Sequence, residues 1–173
     1  MCDTGYSVKA LAADLRELRT QGLAEAALLG EAVDLVKRLV LMKHNWLRAH
    51  MTVPGATPEQ SRRKLHEEPD HSLAVVVVAM NPGESTAPHD HGTWAVIAGL
   101  LGAETNHWWK RADGDAVEPA GAEPVDASTI VTIPSGAIHS LHNESNAVSV
   151  TLQVYGTSLD LTQHRNYTPR RPS

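Results

Sequence analysis

The sequence predicts a mainly β protein, a sandwich or barrel of short strands preceded by a helical segment, and two observations predict it. Over the first third, apolar residues recur at three- and four-residue spacing with charges between them. From about residue 72 the period changes. "LAVVVVAM", "WAVIAGLL", "ETNHWWK", "TIVTI" and "AVSVTLQVYG" are short and rich in β-branched or aromatic residues, and Gly, Pro, Asn or Asp separate them.

Taken in order, Val8, Leu11, Leu15 and Leu18 mark a first helix that Gly22 should end. Leu35, Val36, Leu39 and Val40 mark a second, expected to stop before Pro54, with Trp46 as a core anchor and His44 and His50 at its end. Residues 1–54 are thus read as a helical segment packed on the barrel. Residues 55–71, "GATPEQSRRKLHEEPDH", are polar and read as a surface loop in which His66 and His71 are solvated. Residues 72–160 form the barrel and 161–173 a C-terminal tail.

At 173 residues the chain suits one domain, and with no Phe its core must be built from Val, Leu, Ala and Ile. A formal net charge of -5 argues against a nucleic-acid partner. The lone Cys2 allows no intrachain disulfide, so nothing points to an oxidising compartment. "MCDTGYSVKA" lacks the form of a signal peptide, and the longest apolar run, 73–80, is too short for a membrane span. The expectation is a cytoplasmic protein without a membrane or nucleic-acid partner, its self-association left open.

Two stretches carry chemistry. In "HDHGTW", His89 and His91 lie two apart, so in a strand both project from one face and can grip one metal ion. Asp90 then points the other way. In "PSGAIHSLHN", Pro134 and Gly136 make a turn ahead of His139. Imidazole suits iron, zinc, nickel or copper. Further along, Val148, Val150, Leu152 and Val154 alternate with Ser149, Thr151, Gln153 and Tyr155. One face of that strand is apolar and the other polar, facing either water or the metal cavity.

Gly83, His89, His91 and Gly102, with Pro134, Gly136, His139 and Asn143, resemble the paired motifs of the cupin superfamily over about residues 72–157. The resemblance implies a jelly-roll barrel, also called a double-stranded β-helix, with a metal held by His89, His91 and His139. The usual cupin acid falls at Ala95 or Val96, neither of which binds a metal. A three-histidine set leaves a divalent ion its full charge and favours an anionic substrate such as a thiolate.

"PHDHGTWAVIAGLLGAE" and "GAIHSLHN" followed by "SVTLQVYG" resemble the thiol dioxygenases, of the cysteine and 3-mercaptopropionate dioxygenase type. That resemblance implies Fe(II), with nickel, zinc or manganese acceptable in a purified sample, and O2 as cosubstrate. It also implies oxidation of a small carboxylate-bearing thiol to its sulfinic acid. The family's Ser-His-Tyr relay becomes Thr151, Gln153 and Tyr155, and Gln153 cannot titrate as histidine does. With only Cys2 present, Tyr155 carries no cysteine cross-link. Arg165, next to His164, is the expected clamp for the substrate carboxylate, ahead of Arg111. Trp94 and His142 are expected at the substrate pocket, Trp108 and Trp109 in barrel packing, and Glu104 is not counted as a ligand. The rival readings are another metal-dependent cupin enzyme (a lyase, isomerase or carbon–carbon cleaving dioxygenase) and a non-catalytic cupin that binds a small ligand.

Overall fold

In a computed structural model of the chain, residues 5–50, 61–158, 160–161 and 165–170 are described. The expectations for Cys2, Pro54, residues 55–60 and His164, and for the side chain of His50, lie outside them. Three helices come first, α1 (Val8–Thr20), α2 (Glu25–Leu41) and α3 (Lys43–His50). Ser7 caps α1 by accepting the Ala10 N–H, and Gly22, at φ 65°, turns the chain after it. The second expected helix is in fact two, broken at Met42, whose backbone leaves the helical region. Trp46 is buried and donates its indole N–H to the Leu39 carbonyl at 2.9 Å, which fixes α3 against α2.

Strands follow: β1 (Arg62–Glu67), β2 (Ala74–Met80), β3 (His89–Asp90), β4 (Ala95–Leu101), β5 (Ala103–Arg111) and β6 (Ala116–Asp126). Then come β7 (Ile130–Ile133), β8 (Ile138–His142), β9 (Ser149–Tyr155), β10 (Arg165–Asn166) and β11 (Thr168–Pro169). One sheet has the order β1-β2-β9-β4-β7 and the other β10-β3-β8-β5-β6-β11. Their inner faces meet in a core of Val76, Met80, Ala95, Ile97, Val125, Ile133, Leu141 and Tyr155. On the outer face of the first sheet, Val75, Val77, Val96, Ala98, Val150, Leu152 and Val154 pack against Leu11, Leu15, Leu29, Val36 and Leu39 of the helices. The absence of phenylalanine is met as composition requires, by Leu, Val, Ala and Ile.

Two boundaries differ from the sequence reading. Part of the expected polar loop is the edge strand β1, which pairs antiparallel with β2 from Arg62↔Val78 to Glu67↔Ala74. His66, expected in solvent, is half-buried with its Nε2 2.9 Å from Glu68 Oε1, and Arg16 of α1 donates to both oxygens of that carboxylate. This network ties the helical layer to the sheet edge. His71 is on the surface as expected, beside Glu67. The expected C-terminal tail contributes β10 and β11, and Tyr167 between them is buried against Val117 and Ile138.

Two glycines of the paired motifs have a physical reason. Gly102, between β4 and β5, sits at φ 63° with the Val148 carbonyl oxygen 2.5 Å from where a Cβ would be. Gly136, at φ 77°, closes the turn that leads into β8. No helix among the described residues is long and apolar enough to cross a membrane.

Candidate metal centre

His89 of β3 lies directly opposite His139 of β8 in antiparallel register, so both side chains leave the sheet on the same side. His91, two residues past His89, joins them. The ring centroids stand 4.7 to 4.9 Å apart. His91 Nε2 is 3.1 Å from His89 Nε2 and 3.3 Å from His139 Nε2. Nitrogens bonded to a common transition-metal ion at about 2.1 Å span such separations.

The other nitrogen of two of the rings is tied down. His89 Nδ1 is 2.7 Å from the Ala87 carbonyl oxygen and His139 Nδ1 is 2.8 Å from Asn106 Oδ1. Both partners only accept, so each Nδ1 carries the hydrogen and each Nε2 turns a lone pair to the centre. Burial, and then the neighbouring His89, push the His139 pKa down to about 3, which keeps that ring neutral and able to ligate. The donor set therefore fits a borderline transition-metal ion. No carboxylate belongs to the group among the described residues. Ala95 points into the barrel core and Val96 toward the helices.

Beside the imidazoles lies the polar face of β9. The Tyr155 ring meets His91 edge-on at 5.0 Å between centroids. Its hydroxyl donates to Gln153 Oε1, and Gln153 Nε2 donates to Thr151 Oγ1 at 3.0 Å. All seven residues of β9 are buried, so the alternation read from the sequence places its apolar half under the helices and its polar half inside the barrel. Burial raises the Tyr155 pKa well above the usual phenol value, so the hydroxyl keeps its proton. Thr151 and Ser149 in turn hydrogen-bond Glu104, a buried carboxyl whose pKa burial pushes up to about 7.

Other expected site residues lie elsewhere. His142 is three residues past His139, and an odd offset along a strand reverses the face. It points to the outside of the barrel, beside Ser140 and His107. Trp94 packs into the cluster beneath the helices and against Gly156, so it does not wall the centre. Arg165 pairs with Asp90 in β10–β3 register and shares its face, the one opposite His89. It lines a cavity of about 610 Å³ together with Asp90, Gly92, Arg111, Gly136 and Thr157. That cavity borders both ligand-bearing segments, although no imidazole of the triad is part of its wall. Tyr167 donates to Asp90, and Arg111 donates to the Tyr167 hydroxyl. Trp108 faces the barrel interior and Trp109 the outside.

Sequence reasoning missed Asn106, which orients His139. The signal was present, because Asn106 shares its parity on β5 with Glu104 and Trp108, all three facing inward.

No family model matches the sequence. Among solved structures, the chain is similar to an uncharacterized conserved protein with a double-stranded β-helix domain from Klebsiella pneumoniae. Identity is 16% over 70% of this chain and 88% of that one, at a TM-score of 0.53. An oxalate oxidase matches at 16% identity over 62% of this chain and 56% of that one, TM-score 0.48. A Cupin 2 conserved barrel domain protein from Salinispora arenicola matches at 19% identity over 54% and 72%, TM-score 0.43. At those TM-scores the last two add nothing to the assignment. The first likeness, with the observed topology, establishes the fold as a cupin-type double-stranded β-helix with an N-terminal helical segment. Within that fold, three convergent histidines define a candidate metal centre.

Proposed function

We propose that the protein is an iron-dependent thiol dioxygenase, converting a small carboxylate-bearing thiol and O2 to the sulfinic acid. The observation that carries the reading is a centre of three imidazoles, His91 and His139 buried and His89 partly so, with no carboxylate among the described residues, flanked by a phenol held in place by a glutamine. His89, His91 and His139 would hold the iron, which when bound supplies the place where thiolate and dioxygen meet. The reaction balances without an outside reductant, since RSH and O2 sum to RSO2H.

The side chains do the rest. Neutral imidazoles contribute no negative charge, so the centre favours an anionic substrate. Asn106 and the Ala87 carbonyl keep two of the rings aimed inward. Gln153 accepts the Tyr155 hydroxyl hydrogen and so fixes the phenol rotamer, which leaves the phenol oxygen able to accept a hydrogen bond from the substrate. Arg111 and Arg165, in the wall of the adjoining cavity, supply positive charge for a substrate carboxylate entering from that side. A cytoplasmic location and the lack of nucleic-acid and membrane partners go with this reading.

The arginines stand in the neighbouring cavity, not at the imidazoles, and this favours one runner-up. It is another metal-dependent cupin enzyme whose substrate binds through oxygen. The deciding experiment is metal analysis of anaerobically purified protein, followed by oxygen uptake with cysteine, 3-mercaptopropionate, mercaptosuccinate and cysteamine, and with diketones and hydroxy acids. The proposal expects uptake of one O2 per sulfinate formed with a thiol acid, and far less with cysteamine, which has no carboxylate. Uptake only with diketones or hydroxy acids overturns it in favour of the runner-up. Iron-loaded protein that consumes no oxygen with any candidate points to a ligand-binding cupin without catalysis.

A further inference from the structure

The outer face of the same two strands carries a second group of ligating side chains. On β5 and β8, His107 lies opposite Ser140 and His142 opposite Thr105, which makes the two histidines diagonal neighbours across the ladder. Their rings stand 4.3 Å apart between centroids. Glu144 follows closely after β8, and the Thr105 hydroxyl donates to its Oε2 at 3.1 Å, turning the carboxylate toward the histidines. His107 Nε2 is a buried atom with no hydrogen bond among the described residues, and it stands 3.9 Å from Glu144 Oε1. That gap is too long for a hydrogen bond, yet an ion bonded at about 2.0–2.2 Å to both atoms spans it.

His142 has its own anchor. Its Nε2 lies 2.9 Å from Ser140 Oγ, which also accepts the Trp109 indole N–H at 2.9 Å. When His142 Nε2–H donates to that oxygen, Nδ1 is left as the bare nitrogen. Ser140 then plays toward His142 the part that Asn106 plays toward His139. One donor atom from each of the three residues fits within a 4.8 Å group.

We propose that His107, His142 and Glu144 form a second binding site, on the outside of the barrel, for a divalent transition-metal ion of the Zn2+ class. Two imidazoles and one carboxylate are a donor set that zinc, nickel and copper favour over magnesium or calcium. Glu144 is 64% exposed, so water completes the coordination and the ion exchanges with solvent. A bound ion would clip β5, β8 and the segment after β8 together.

The test is calorimetric titration of chelator-stripped full-length protein with Zn2+. The variants are Glu144→Gln, the pair His107→Asn with His142→Asn, and the pair His89→Asn with His139→Asn, each checked for fold by circular dichroism. Two equivalents are expected for the unaltered protein. The His89/His139 variant should keep one, and adding Glu144→Gln to it should weaken that one at least about tenfold. A folded His89/His139 variant that binds no Zn2+ overturns the outer site. So does a retained equivalent that ignores both Glu144→Gln and the His107/His142 pair. The barrel centre is judged separately, by whether the His89/His139 variant loses an equivalent at all.

Discussion

Replacing Glu104 by glutamine should stabilise the protein at alkaline pH and change little at acid pH. The carboxyl is 3% exposed, its Oε1 makes no hydrogen bond among the described residues, and its Oε2 has Ser149 at a long 3.5 Å. Burial raises its pKa from 4.5 to about 7, against the smaller opposing effect of the Thr151 and Ser149 hydroxyls. A folded-state pKa above the unfolded one means that the folded chain binds the proton more tightly. Stability is then full below the unfolded value and is lost as pH climbs through the folded one, here between about pH 4.5 and 7. At about 1.4 kcal/mol per tenfold change, the loss is about 3 kcal/mol, an upper figure given some relaxation of the site. Glu104→Gln keeps the shape and never ionises. Urea denaturation of the metal-free protein and the variant at pH 5 and pH 8 reads the difference directly, and pH effects common to both proteins cancel from it. The variant should gain about 2–3 kcal/mol relative to the parent on going from pH 5 to pH 8. An equal pH dependence in the two proteins refutes the reasoning and means that water reaches the carboxylate.

Three further outcomes are expected. His139→Ala should abolish metal retention through desalting, as read by metal analysis; retention would mean that the ligands are misassigned. Asn106→Ala should leave the metal bound but weaken its affinity about 10–100-fold in a chelator competition, because the His139 ring loses the partner that fixes its tautomer. Tyr155→Phe should lower kcat for thiol oxidation at least about a hundredfold with the metal affinity unchanged, since it removes the phenol hydroxyl while keeping the ring that meets His91.

The pairing of His89 with His91 and the two-faced character of β9 were legible because period two is strict along a strand, whereas His139 joined them only through the resemblance of its segment to the second cupin motif. His89 and His91, or Gln153 and Tyr155, need no tertiary knowledge to be put on one side. What a strand cannot say is which side is inward. Glu104 was therefore only set aside as a ligand and Asn106 drew no reading, although both face inward. His142 was misplaced although its odd offset from His139 told against the pocket. Trp94 lies in the turn after β3, where the alternation lapses, so nothing local indicated that its ring goes under the helices. The strand β1 was hidden by its composition. Arg-Arg-Lys-Leu-His-Glu suits an edge strand, which meets solvent on much of its surface, and Arg16, which holds the Glu68 carboxylate just past its end, is distant in sequence. The two-residue strands β10 and β11 are too short to leave a period at all.

The strand β9 is a partition with a different tenant on either side. Val150, Leu152 and Val154 are clamped by the helices while Thr151, Gln153 and Tyr155 furnish the chamber within. Because the interior is close-packed, thinning the padding on the helical side, as with Leu15→Ala, lets the partition bow outward and carries the Tyr155 hydroxyl with it. Variants that retune the chemistry without touching a ligand should accordingly turn up in α1 and α2, which carry none of the three histidines yet pack on the strand whose other side bears the phenol.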